Sequence, residues 1–119
     1  GNLCTLNLLQ GTQYMPDITD CILFLEDDEG TNPELFARDL TSLLQASSDI
    51  KGLLIGRFQK VSNMTQEQLF FILDKHPMLK EVPVIYDVDF GHTQPIVTLP
   101  IGGTVRVDTK KREIELTEF

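Results

Sequence analysis

Two runs without a polar side chain, Cys21-Ile22-Leu23-Phe24-Leu25 and Gly52-Leu53-Leu54-Ile55-Gly56, do most to limit what this chain can fold into. A strand with one wet face alternates apolar and polar residues, whereas a run that is apolar throughout must be covered on both faces. Between them, Asn32-Pro33-Glu34 combines a capping side chain, a proline suited to the first helical position and an acid in the first turn. The helix it opens places Leu35, Phe36, Leu40, Leu43 and Leu44 on one face and Arg38, Asp39 and Gln45 away from it, and Ser47-Ser48-Asp49 ends it. After the second run, which continues through Arg57-Phe58-Gln59-Lys60, Thr65-Gln66-Glu67-Gln68 has the form of a capping box. It opens a helix carrying Leu69, Ile72 and Leu73, widened by Phe70 and Phe71. That helix stops near His76, because the residue before Pro77 is pushed out of helical geometry. His76 then reads as a cationic partner of the helix C-terminus.

A third strand follows, from the alternating Val84, Tyr86, Val88 and Phe90. Helices between apolar strands imply parallel strands joined by right-handed crossovers. Thr104-Val105-Arg106-Val107-Asp108 and Arg112-Glu113-Ile114-Glu115-Leu116 alternate strictly and, joined by Thr109-Lys110-Lys111, predict an antiparallel β-hairpin. At the other end Asn2 can cap a short helix with Leu3, Leu6 and Leu9 at helical spacing and Gly11 as its stop; residues 12–20, with Pro16, read as loop. The expectation is one mixed α/β domain over residues 1–119.

Eighteen acidic against ten basic residues give a formal net charge of −8, which repels phosphates and anionic membranes and so disfavours nucleic acid and membrane partners. The short basic run Lys110-Lys111-Arg112 reads as a solvated turn. Cys4 and Cys21 have no metal-ligand spacing and read as small buried hydrophobes in a reduced compartment. No apolar run approaches the ~18 residues of a membrane span, and a cytoplasmic location is expected. The chain opens at Gly1-Asn2 without Met, which leaves room for an upstream segment.

Two positions invite chemistry. His92 sits just past the third strand, after Gly91, where loops present binding and catalytic side chains, and imidazole exchanges protons near neutral pH. Taken on these residues alone, it reads first as a surface-turn histidine. Glu26-Asp27-Asp28-Glu29 follows the first apolar run; it lacks EF-hand spacing and reads as a solvated acidic loop, apart from Glu26, which abuts the buried strand and can point back toward a cleft.

Gly1-Asn2-Leu3, Ile22-Leu23-Phe24-Leu25-Glu26 and Asp89-Phe90-Gly91-His92-Thr93, followed by Leu99-Pro100-Ile101-Gly102-Gly103-Thr104, resemble the C-terminal domain of the LD-carboxypeptidase family of serine peptidases. Leu54-Ile55-Gly56-Arg57-Phe58-Gln59 and Val88-Asp89-Phe90-Gly91-His92-Thr93 look closer to its microcin C immunity branch than to the murein tetrapeptide carboxypeptidases. The resemblance implies a swivelling β/β/α-type fold and a Ser-His-Glu triad without metal or organic cofactor. It matches His92 to the general base and Glu26 to the acid, with Asp27 as the alternative in a slipped register. It implies further that the serine and oxyanion donors belong to an absent N-terminal domain, that the fragment alone is inactive, and that the protein is a homodimer acting on a peptide or aminoacyl-nucleotide. None of Ser42, Ser47, Ser48 and Ser62 lies in a nucleophile-elbow turn. A domain parted from its partner is expected to expose apolar residues, with Leu3, Leu6, Phe70 and Phe71 as candidates. The competing expectation is a non-catalytic binding or scaffold module, which gives Glu26 and His92 no reason to touch.

Overall fold

The computed structural model describes residues 1–47 and 49–119; Ser48 lies outside the described residues. In chain order the elements are α1 (Leu3–Asn7), β1 (Ile22–Leu25), α2 (Pro33–Ala46), β2 (Gly52–Gly56), α3 (Gln66–Asp74), β3 (Val84–Val88), β4 (Thr104–Asp108) and β5 (Glu113–Glu118), with 3-10 turns at Lys60–Ser62 and Pro77–Lys80. β1, β2 and β3 form a parallel sheet in that order, and α2 and α3 are the crossovers. β4 and β5 pair separately as an antiparallel hairpin. This is the mixed α/β architecture expected from the sequence.

β2 is central because it is apolar throughout: Leu53, Leu54 and Ile55 are fully buried. Covering each such side chain contributes about 1.5–3 kcal/mol relative to leaving it exposed. The predicted caps form, with Asn32 accepting from the Leu35 amide at 2.9 Å and Thr65 and Gln68 completing a reciprocal capping box. α2 buries Phe36, Leu40, Leu43 and Leu44 against the sheet, and Phe36 meets Phe58 edge-on at 4.9 Å. Beyond the sheet's other side, Ile22 and Phe24 of β1 and the segment Leu99–Val105 line an apolar cavity of about 760 Å³.

Five local expectations are corrected. Asp39 is buried, because α1 packs on that flank of α2 and Asn7 donates to the Asp39 carbonyl at 2.8 Å; the carboxylate takes the Arg38 Nε at 3.1 Å. Leu3, expected on an exposed apolar face, is fully buried for the same reason. α1 ends at Asn7 rather than near Gly11, since the amides of Leu8, Leu9 and Gln10 bond three residues back and tighten the chain out of α geometry. Cys4 and Cys21 are exposed free thiols: α1 turns Leu3 inward and Cys4 outward, and Cys21 precedes the first strand residue. Finally, β2 stops at Gly56, and Arg57 to Gln59 leave the sheet toward the third strand's end.

Candidate active site

Because the three strands are parallel, their carboxyl ends share one edge of the sheet, the edge where open α/β sheets place ligands. Glu26 follows β1 there. Its backbone is held in a parallel bridge with Asn2: the Leu3 amide donates to the Glu26 carbonyl at 2.8 Å, and the Glu26 amide donates to the Gly1 carbonyl at 3.1 Å. The side chain fills a slot walled by two glycines. A Cβ on Gly56, the last residue of β2, would stand 2.8 Å from the Glu26 Cβ and 2.7 Å from the Phe90 carbonyl oxygen. A Cβ on Gly91 would stand 2.5 Å from Glu26 Oε2, and Gly91 also adopts φ +99, a region that side chains disfavour. Glycine is therefore required at both walls if the carboxylate is to lie where it does.

His92 is brought to the same slot from β3. Phe90 is buried and packs edge-on against Phe24, with ring centroids 5.5 Å apart. Gly91 then reverses the chain, and the Val97 amide closes the following loop onto the Asp89 carbonyl at 2.7 Å. Arg57 forms an ion pair with Asp89, and Gln59 Nε2 donates to the His92 carbonyl at 3.1 Å. The result is a contact of 2.6 Å between His92 Nδ1 and Glu26 Oε2, across 66 residues of sequence.

The environments of the two side chains differ: Glu26 is only 6 % exposed, His92 46 %. A carboxylate only accepts, so Nδ1 carries the proton, and in the neutral ring Nε2 keeps its lone pair. Among the described residues nothing hydrogen-bonds to Nε2, which belongs to the half-exposed side chain. The hydrogen bond that His92 Nδ1 donates to Glu26 raises the His92 pKa above its ordinary value, and the carboxylate's charge adds to this; burial opposes the rise, and Asp28 and Glu29 add to it. This arrangement can accept a proton at Nε2 and stabilise the imidazolium that results.

The other sequence candidates lie elsewhere. Asp27 is buried toward Cys4, Thr31 and Asp39 rather than toward His92, so Glu26 and not its neighbour makes the contact. Burial pushes the Asp27 carboxyl up, while Thr31 and the Cys4 backbone amide oppose that rise. Asp28 accepts from the Gly30 amide at 2.8 Å, a turn contact. His76, read from the sequence as a cationic partner of the helix C-terminus, sits part-buried with Nε2 3.4 Å from Thr41 Oγ1, and burial, with Lys75 beside it, lowers its pKa and so disfavours the charged form. Gln59 and Gly56 escaped the sequence reading as site residues. Both lie in the Leu54–Gln59 stretch that resembles the microcin C immunity branch, and beyond that their signal was position, at and just past the end of the central strand.

Fold and site together define a class: an α/β domain that carries a carboxylate-oriented imidazole at the carboxyl edge of a parallel sheet. The chain belongs to the LD-carboxypeptidase family as its C-terminal domain, whose pattern matches residues 1–107. YocD of Bacillus subtilis, named as a carboxypeptidase, is 48 % identical over 110 residues, covering 91 % of this chain and 34 % of its own. The microcin C7 self-immunity protein MccF of Escherichia coli is 30 % identical over 127 residues, covering 99 % of this chain and 35 % of its own. The crystal structure of an MccF-like protein from Bacillus anthracis superposes with a TM-score of 0.90 at 42 % identity, over all of this chain and 38 % of that one. The chain thus spans about a third of the length of these relatives.

Proposed function

We propose that this chain supplies the base and the acid of a serine carboxypeptidase, with His92 as general base and Glu26 as the carboxylate that orients it. The observation that carries this reading is the 2.6 Å contact between Nδ1 and Oε2 of residues 66 apart in sequence. Holding Nδ1 fixes the tautomer, so that Nε2 is free to remove a proton from a serine hydroxyl, which is a poor nucleophile until that proton leaves. The serine oxygen then bonds to the scissile carbonyl carbon, and the imidazolium, stabilised by Glu26, returns the proton to the departing amine. Water repeats the sequence to release the acid. The mechanism calls on no metal or organic cofactor.

The nucleophile in this proposal comes from an N-terminal domain. Ser62 is fully buried with its hydroxyl donated to the Gln59 carbonyl at 2.7 Å, and Ser42 lies on α2 beside Gln10. Ser47 is the C-cap of α2, and Ser48 lies outside the described residues. The substrate carries an acyl–nitrogen bond, and the family resemblance gives two versions: the L,D-bond of a murein tetrapeptide, or the aminoacyl link of a microcin-type nucleotide. The carboxypeptidase name of YocD and the microcin self-immunity name of MccF are in keeping with a peptidase of one kind or the other. The same reading makes the protein cytoplasmic and a homodimer, and the fragment inactive alone. Among the described residues no helix is long and apolar enough to cross a membrane.

The test is reconstitution. This chain is mixed with a separately made N-terminal domain, and hydrolysis of a murein tetrapeptide and of an aminoacyl-sulfamoyl adenylate is followed. Activity that appears with the native chain and disappears with His92→Ala is the expected result. A pair that associates yet hydrolyses neither compound would overturn the proposal.

A further inference from the structure

Resting on that reading, we infer that Gln59 is a positioning residue for the general base. A histidine with a 46 % exposed side chain on a loop is poorly constrained by its ring contact alone. What holds its main chain is a relay of hydrogen bonds. Ser62 is fully buried, and both its hydroxyl, at 2.7 Å, and its amide, at 3.0 Å, donate to the Gln59 carbonyl. The main chain of Gln59 is thereby fixed at the entry to the Lys60–Ser62 turn. Its side-chain amide donates from Nε2 to the His92 carbonyl at 3.1 Å. Chemistry settles which end of that amide faces the carbonyl, since a carbonyl oxygen accepts only and Nε2 is the donor.

One residue pair away, Arg57 reaches Asp89 in an ion pair. The short segment beyond β2 therefore braces the turn of residues 89–92 twice, once on each side of Gly91. The brace matters to the proposed chemistry because His92 changes charge during turnover, and the ring must keep Nε2 aimed while its bond to Glu26 strengthens and relaxes. Small displacements of a proton-transfer group are costly to rate. Gln59 touches no reacting atom; it acts through the His92 backbone.

Two variants separate donation from packing. Gln59→Ala removes the side chain, and Gln59→Met keeps its length while removing the donor. In the reconstituted assay both are expected to lower kcat about tenfold with KM unchanged, roughly the factor that one hydrogen bond is worth. In this chain alone, the low-field proton resonance of the His92 Nδ1–H is expected to broaden in both variants. Native kcat and a native resonance in both variants would overturn the assignment, as would a loss confined to Gln59→Ala, which would mean packing alone. Parallel measurements on Glu26→Gln keep the two claims apart. If Glu26→Gln is inactive while the Gln59 variants match the native chain, only the role of Gln59 falls. If Glu26→Gln is fully active, the acid–base reading falls, and the resonance still decides whether Gln59 holds His92.

Discussion

Gly91 is the residue on which the site's geometry turns. Substituting alanine would put a Cβ 2.5 Å from Glu26 Oε2 on a backbone of φ +99, so both sterics and conformation oppose it. Gly91→Ala is expected to lose roughly 1–3 kcal/mol in urea unfolding, typical of a strained backbone position, and to displace Glu26 so that the His92 pKa falls back toward its ordinary value. At Asp27 the expectation runs the other way. Its folded pKa is raised by burial, so the charged form opposes folding, and the contribution of Asp27 to stability is full below the ordinary value of 3.8 and is lost as pH rises through the folded pKa. Asp27→Asn should therefore stabilise the protein at neutral pH, seen as a higher urea midpoint than native at pH 7 and a smaller difference near pH 3. Legibility at this scale was uneven. His92 and Glu26 could be singled out by a strand end and a buried run beside them, but the 2.6 Å contact depends on a slot made by Gly56 and Gly91, and an absent Cβ leaves no pattern in sequence.

At the scale of elements, the sequence carried the strands and helix starts because each rests on short-range physics. An all-apolar run has to be covered on both faces, and Asn32 and Thr65 satisfy amides within their own first turns. Asn32→Ala is expected to cost about 1 kcal/mol, and Leu53→Ala about 2–5 kcal/mol because it empties a fully buried position in the central strand; both are read from chemical denaturation. What failed to show was set by long-range packing. The burial of Asp39 and Leu3 depends on α1 and α2 meeting across more than thirty residues, the exposure of Cys4 on which face α1 turns inward, and that of Cys21 on β1 beginning only at Ile22. The bend of Arg57–Gln59 out of β2 follows from partners at Asp89 and His92 that no local window contains.

Across the whole molecule, Phe71 at 65 % and Ile101 at 87 % exposure leave large apolar side chains in water. Self-association is expected, with an apparent mass in size-exclusion chromatography that rises with concentration and falls toward monomer in Phe71→Ser. Constant monomer elution of the native chain would count against it. The fold supplies the edge of parallel strands, the two glycines supply the slot, and the central claim is that these serve an acid–base pair. NMR titration of His92 in the native chain and in Glu26→Gln tests that claim most directly. The His92 pKa is expected to lie above the ordinary 6.5 in the native chain and to fall back toward it when the carboxylate is neutralised. By linkage, the native chain's extra stability over Glu26→Gln is full below pH 6.5 and fades as pH rises through the folded pKa. Identical His92 titrations in the two proteins would contradict the account, because the imidazole would then be indifferent to the group held to orient it.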